Sequence, residues 1–286
     1  QNEVEMLLSI IPELYETSGF NKDDIGFTCS GSTDYIAGQA FSFVMAIDAL
    51  GAWPPINESH VEMDAAWALY EAYIKILTGE VDTALVYGFG KSSAGTLRRV
   101  LALQTDPYTV APLWPDSVSM AGLQARMGLD AGTWTEEQMA QVALDAQAAG
   151  PRVDRLESGG TVEELLAQPF FADPLRRHDI APITDGASAI VLAADDRARE
   201  LRERPAWISG IEHRIETPVL GARELTTSPS TAASAAAATN GDASSIELAE
   251  IYAPFSHQQL ILTEAIGLSD STKINPSGGA LAANPM

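Results

Sequence analysis

The sequence of 286 residues has one cysteine, Cys29, so neither an intramolecular disulfide framework nor a cysteine-rich zinc site can be built within it. Basic residues are also scarce: 17 Lys and Arg stand against 39 Asp and Glu, giving a formal net charge of −22. Phosphate backbones and anionic bilayers are held by concentrated cations, so no nucleic-acid partner is expected. No apolar run approaches the roughly 18 residues that cross a bilayer, and no membrane insertion is expected. Glu3 and Glu5 occupy the start of the chain, where a secretory leader carries positive charge, which makes the cytoplasm the expected location. There is no Gly-Lys-Ser/Thr phosphate loop, and the spacing of histidines and carboxylates suggests no metal site. What remains, 46% hydrophobic and 20% charged residues, is the composition of a folded protein large enough for two structural units.

The order of apolar residues predicts an α/β fold. Val4, Leu7, Leu8, Ile11 and Leu14 recur at helical spacing before Gly19, and Ile25 to Cys29 reads as a buried strand closed by a Ser-Gly-Ser turn. A helix is expected over Gln39 to Leu50, an extended segment after Trp53-Pro54-Pro55, a helix over Met63 to Leu77 stopping at Gly79, and a strand over Thr83 to Tyr87. Residues 104–182 are broken by prolines into short helical pieces such as Glu136 to Ala149, the pattern of an inserted loop region. Strands are expected again at Ala187 to Leu192, Ala206 to Ile211 and Ile246 to Tyr252. An alanine-rich helix capped by Ser230 and ending at Asn240-Gly241, and another over Ser256 to Gly267, fall between and after them.

Three segments carry chemistry. Arg177 to Ala189 contains Thr184-Asp185-Gly186-Ala187 leading into a strand; Glu250-Ile251-Tyr252-Ala253-Pro254-Phe255-Ser256 ends another; Asn275-Pro276-Ser277-Gly278-Gly279-Ala280 is followed by Ala283-Asn284-Pro285. In this order they resemble motifs of the thiolase superfamily, especially its sterol-carrier-protein-type lipid-transfer branch. The resemblance implies a thiolase fold: two βαβαβαββ halves packed as five layers (αβαβα) with an inserted loop domain. The halves would be residues 1–203, containing the insertion at about 104–182, and residues 204–286. The second half ends in a Gly/Ala/Pro loop and is expected to be incomplete.

The departures from that family matter as much. Counting back from Gly79 places Glu62 where the family carries its nucleophilic cysteine at a helix opening, and Val61-Glu62-Met63 holds no thiol. A carboxylate there is a poor acyl carrier, so acyl-enzyme chemistry is not expected. Cys29 reads as a small buried hydrophobe, and Asn284 replaces the histidine of the family's Gly-His-Pro turn. Tyr252 stands where relatives bind the thioester oxygen; a phenol can donate to an oxyanion and move a proton. Asp64 reads as a helix cap, and Glu62 as either cap or catalyst.

Asn57 to Trp67, Tyr87 to Ser93 and Tyr252 to His257 further resemble actinobacterial lipid-transfer proteins that act as steroid side-chain aldolases. What this implies is retro-aldol cleavage of a steroid acyl-CoA, with Tyr252, Glu62 and Asn284 catalytic. His60, His257, Ser277, Gly278 and Gly279 would bind substrate. No cofactor is expected beyond the coenzyme A of the substrate. The implied partner is an OB-fold/zinc-ribbon protein of a domain-of-unknown-function family, fused to or part of a hydratase, joined to a homodimer in a heterotetramer. Arg98-Arg99, Arg152, Arg155 and Arg176-Arg177 are candidates for the coenzyme phosphates, with solvated surface as the alternative. The rival class is a non-catalytic lipid or acyl-CoA carrier, or a thiolase-like scaffold.

Overall fold

The computed structural model describes residues 2–38, 40–51, 55–150 and 160–284. In chain order its elements are α1 (Glu3–Ser18), β1 (Phe27–Ser32), α2 (Asp34–Ala37), α3 (Ser42–Ala46), β2 (Glu58–Glu62), α4 (Ala65–Leu77) and β3 (Thr83–Gly90). There follow α5 (Leu97–Ala102), α6 (Ser117–Ala131), α7 (Glu136–Ala149), α8 (Val162–Leu166), β4 (Phe170–Ala172), β5 (Leu175–Arg176) and β6 (Gly186–Ala193). The remainder comprises α9 (Asp195–Leu201), α10 (Pro229–Ala238), β7 (Leu248–Ala249), α11 (Ser256–Ile266), β8 (Lys273–Ile274) and α12 (Gly279–Ala282). Contacts divide the chain into one unit of residues 1–97 with 183–207 and a second of residues 98–182 with 208–284, so the region 104–182 belongs with the C-terminal residues.

The first unit is a mixed sheet in the order β2-β1-β3-β6, with β1 parallel to both β2 and β3, and β6 antiparallel to β3. Strand alternation sends Leu85, Tyr87 and Phe89 of β3 toward Met6, Leu7 and Ile11 of α1. Ala84 and Val86 face the other way, with Phe27 and Cys29 of β1, onto Ala68 and Ala72 of α4. Both faces of β1 and β3 are therefore buried, which is why they read as continuous apolar runs. Each large side chain so buried contributes roughly 1.5–3 kcal/mol. Helix α1 has a reciprocal Asn2/Glu5 capping box and ends at Gly19, which takes φ 78° as its left-handed C-cap.

The second unit is mainly helical. Val118, Ala121 and Ala125 of α6 pack with Trp134, Met139 of α7, Leu175, Phe255 and Ile261 of α11. Its strands form two ribbons, β4 with β5 and β7 parallel to β8.

Several expectations are corrected. Ser30-Gly31-Ser32 is not a turn but the buried end of β1. The helix expected from Gln39, itself outside the described residues, is the short α3 followed by a 3-10 turn at Ile47–Leu50. Trp53 and Pro54 also lie outside the described residues. Residues 206–211 form no strand, because no partner strand pairs with them among the described residues. The strand expected over Ile246 to Tyr252 shrinks to β7. Ser228, not Ser230, precedes the alanine-rich helix, with Pro229 at its first position, where no N–H is needed.

Candidate functional site

In the first unit, two glycines bring the start of α4 onto the ends of the strands. A Cβ on Gly31 would run into the backbone of Asp64, and one on Gly88 into the Ala65 side chain. Asp64 caps the helix as expected, its Oδ1 accepting from the N–H groups of Ala66 at 2.9 Å and Trp67 at 3.2 Å. The result is a helix N-terminus, with its positive partial charge, at the C-terminal ends of parallel strands. Glu62 does not open this helix: it ends β2, and the first helical residue is Ala65. No thiol lies from Glu62 to Ala65 in either case.

Glu62 is half exposed, and its Oε2 lies 3.4 Å from Nε2 of His60. The two residues are two apart on β2 and share one side of the strand. The His60 ring stacks on Phe43, with centroids 4.3 Å apart, and its Nδ1 is 2.9 Å from Oγ of buried Ser30. Ser30, Asp34 and Phe43 were not singled out from sequence; the register Ser30↔His60, a non-local pairing, is what joins the first of them to the site. Cys29 is completely buried, and burial pushes its thiol pKa up to about 12, so it is not a nucleophile at neutral pH.

In the second unit, Asn275, Ser277, Gly278 and Gly279 form a loop whose backbone is held from below. The Asn275 N–H donates to Ala249 O at 2.8 Å, while its own Oδ1 accepts from Ile251 N at 2.5 Å and its Nδ2 donates to Gln259 at 2.8 Å. Asn275, Gly278 and Gly279 all have positive φ, 47°, 92° and 58°. Glu250 grips the loop with both oxygens, accepting from Ser277 N at 3.0 Å and Ser277 Oγ at 2.7 Å. The residue after the pinned Ile251 is Tyr252, 59% exposed. Asn284 is buried just beyond α12. The loop thus keeps its shape through side chains of Glu250 and Asn275, two residues whose clamping role the sequence motifs did not reveal.

His257, expected to bind substrate, is instead completely buried, its Nε2 3.1 Å from Gln124 Oε1. Burial lowers its pKa to about 3, so it is a neutral core residue that no solvent-borne ligand reaches. Among the arginine candidates, Arg176 is buried, pairs with Glu136 at 2.5 Å and lies over the Phe170 ring. Arg98 pairs with Asp116. Arg152 and Arg155 lie outside the described residues. No helix among the described residues is long and apolar enough to cross a membrane.

No family model matches the chain. An acetyl-CoA acetyltransferase of Methanothermobacter thermautotrophicus is 26% identical over 259 residues, covering 80% of this chain and 67% of the relative. One of Methanocaldococcus jannaschii is 25% identical over 260 residues, covering 80% and 66%. The chain thus spans about two thirds of the length of the curated relatives it matches. A solved Ltp2-ChsH2(DUF35) aldolase superposes with a TM-score of 0.75 at 18% identity, over 98% of this chain and 80% of the other. The chain has a mixed α/β, thiolase-like fold.

Proposed function

We propose that the protein cleaves a β-hydroxyacyl-CoA thioester by a retro-aldol reaction. The observation that carries this reading is the helix N-terminus at Asp64–Ala65: the fold keeps the helix opening, and no thiol stands there or is ionisable nearby in β1. A retro-aldol step needs no covalent nucleophile. A base takes the proton of the β-hydroxyl, the Cα–Cβ bond breaks to leave a ketone, and the electron pair moves into the thioester enolate. An acid then protonates Cα. Tyr252, exposed beside the clamped loop, is the proposed acid/base group. Asn284 and backbone amides other than those of Ser277, Gly278 and Gly279, whose N–H groups are taken within the loop, are the proposed donors to the thioester oxygen.

The substrate proposed on the motif resemblance is 17-hydroxy-3-oxo-pregnene-20-carboxyl-CoA, giving a 17-ketosteroid and propionyl-CoA in cytoplasmic steroid side-chain degradation. The fold neighbour is a complex with a DUF35 component, which supports an assembly with a partner protein; a homodimer flanked by two OB-fold partners is the proposed form. The test incubates this thioester with the protein and its partner and separates the products by mass spectrometry. Free 17-ketone and propionyl-CoA are expected, lost in Tyr252→Phe with the fold intact. Intact thioester recovered from a stable complex would favour the carrier reading instead, and full turnover by Tyr252→Phe would remove this phenol from the mechanism.

A further inference from the structure

We infer that Asp34, His60 and Glu62 form a binding site for a first-row divalent ion of the manganese, cobalt and zinc class. The inference does not rest on the aldolase reading, although that reading also draws on Glu62 and His60, because metal binding is read without turnover. One ligand atom of each side chain lies within 4.8 Å of the others. Ligand atoms around one tetrahedral ion at bond lengths of about 2.0–2.2 Å sit roughly 3.3–3.6 Å apart, so side-chain rotations that draw the three atoms in by about 1 Å close the set.

The three groups are prepared for this. His60 and Glu62 project from one side of β2, at the strand end where Glu62 pairs with Ser32 of β1. Phe43 stacked on the imidazole restricts its rotation, and Ser30 Oγ at 2.9 Å can accept the Nδ1 proton. That hydrogen bond leaves the Nε2 lone pair facing the carboxylates, the arrangement that a second partner of a metal-bound histidine supplies. Asp34 is fixed by the Phe41 N–H at 2.5 Å, the Ser42 N–H at 2.9 Å and the Ser42 hydroxyl at 2.6 Å. These use three of its roughly four acceptor positions and leave one on Oδ2.

Two carboxylates and a neutral imidazole balance a dication. The nitrogen donor disfavours calcium and magnesium, and the lack of thiolate disfavours the soft ions. The simpler alternative is a His60–Glu62 pair at 3.4 Å that binds no metal.

Untagged protein dialysed against a chelator would be titrated separately with Mn²⁺, Co²⁺ and Zn²⁺ by calorimetry, with bound metal counted by mass spectrometry. One equivalent of at least one ion is expected. Binding should weaken at least tenfold in Glu62→Gln, whose half-exposed side chain makes the variant safe for folding, and in His60→Ala. Ser30→Ala should weaken it roughly tenfold through the imidazole alone. Absence of binding by all three ions, or unchanged stoichiometry and affinity in Glu62→Gln, would overturn the site. Neither readout depends on turnover.

Discussion

The two units hold their shape by different means. The first is a sheet with both faces covered, where β1 and β3 are buried along their whole length and the helices add apolar stripes. The second has strands of two or three residues, and polar pins carry much of its definition. Asp179 accepts from Ser256 Oγ at 2.6 Å and from Arg176 N at 2.8 Å, all three residues buried. His257 meets Gln124, and Glu250 grips Ser277. The lesson is that a surface can be shaped either by close backbone approach under an apolar core or by buried hydrogen bonds. The two fail under different challenges, steric in one and ionic in the other.

The largest expected effect tests the steric side. Gly31→Val puts a branched side chain where even a Cβ meets the Asp64 backbone, and it should cost about 3 kcal/mol or more in urea unfolding. Wild-type stability would show that α4 can move away from β1. Next comes Asp179→Ala, which strips two partners at once in a buried place. A loss of about 3 kcal/mol is expected, and under 1 kcal/mol would mean the pin is ornamental.

The ionic side predicts a pH dependence. His257, held down to about 3 by burial, stays neutral in the folded protein, whereas an unfolded histidine takes a proton below about 6.5. The unfolded state then binds more protons, so stability is complete above that pH and falls as the pH drops toward about 3. His178 is shifted the same way, its burial outweighing the neighbouring Asp179. His257 alone should contribute a slope approaching about 1.4 kcal/mol per pH unit, about 1.7 kcal/mol between pH 6.5 and 5, and the total slope should fall by that share in His257→Gln. An equal slope in that variant would assign the acid sensitivity elsewhere. The smallest effect is Asp64→Ala, which removes the α4 cap and should cost about 1 kcal/mol by thermal unfolding.

What the sequence revealed follows the same division. α1, α7 and α11 were legible because their signals are local: apolar residues at helical period in α1, a helical piece between prolines in α7, and Gly19 or Gly267 behind the last turn of α1 or α11. The strands buried in the first unit were legible as apolar runs. Residues 206–211 look the same on paper, but a strand exists only where a partner completes its ladder, and no local pattern records that. Ser30 and Ser32 looked like turn residues. They are strand residues because β2 and β3 complete their ladder, and their hydroxyls meet His60 and Ser42. The absent nucleophile and the glycine loop could be seen in the motifs. The meeting of Asp34 with His60 and Glu62 could not, since it depends on strand register and on a loop folding back through Phe41 and Ser42.

One detail of the second unit reaches further than its size suggests. A methyl group on Gly278 would strike the backbone of Gly150, and one on Gly150 would strike Ala282, so the end of α7 and the glycine loop touch with nothing between them. Gly150, Gly278 and Ala282 are therefore sterically coupled. A combinatorial library spanning this loop should return survivors that keep both glycines together, and any variant that loses one should carry glycine at position 282.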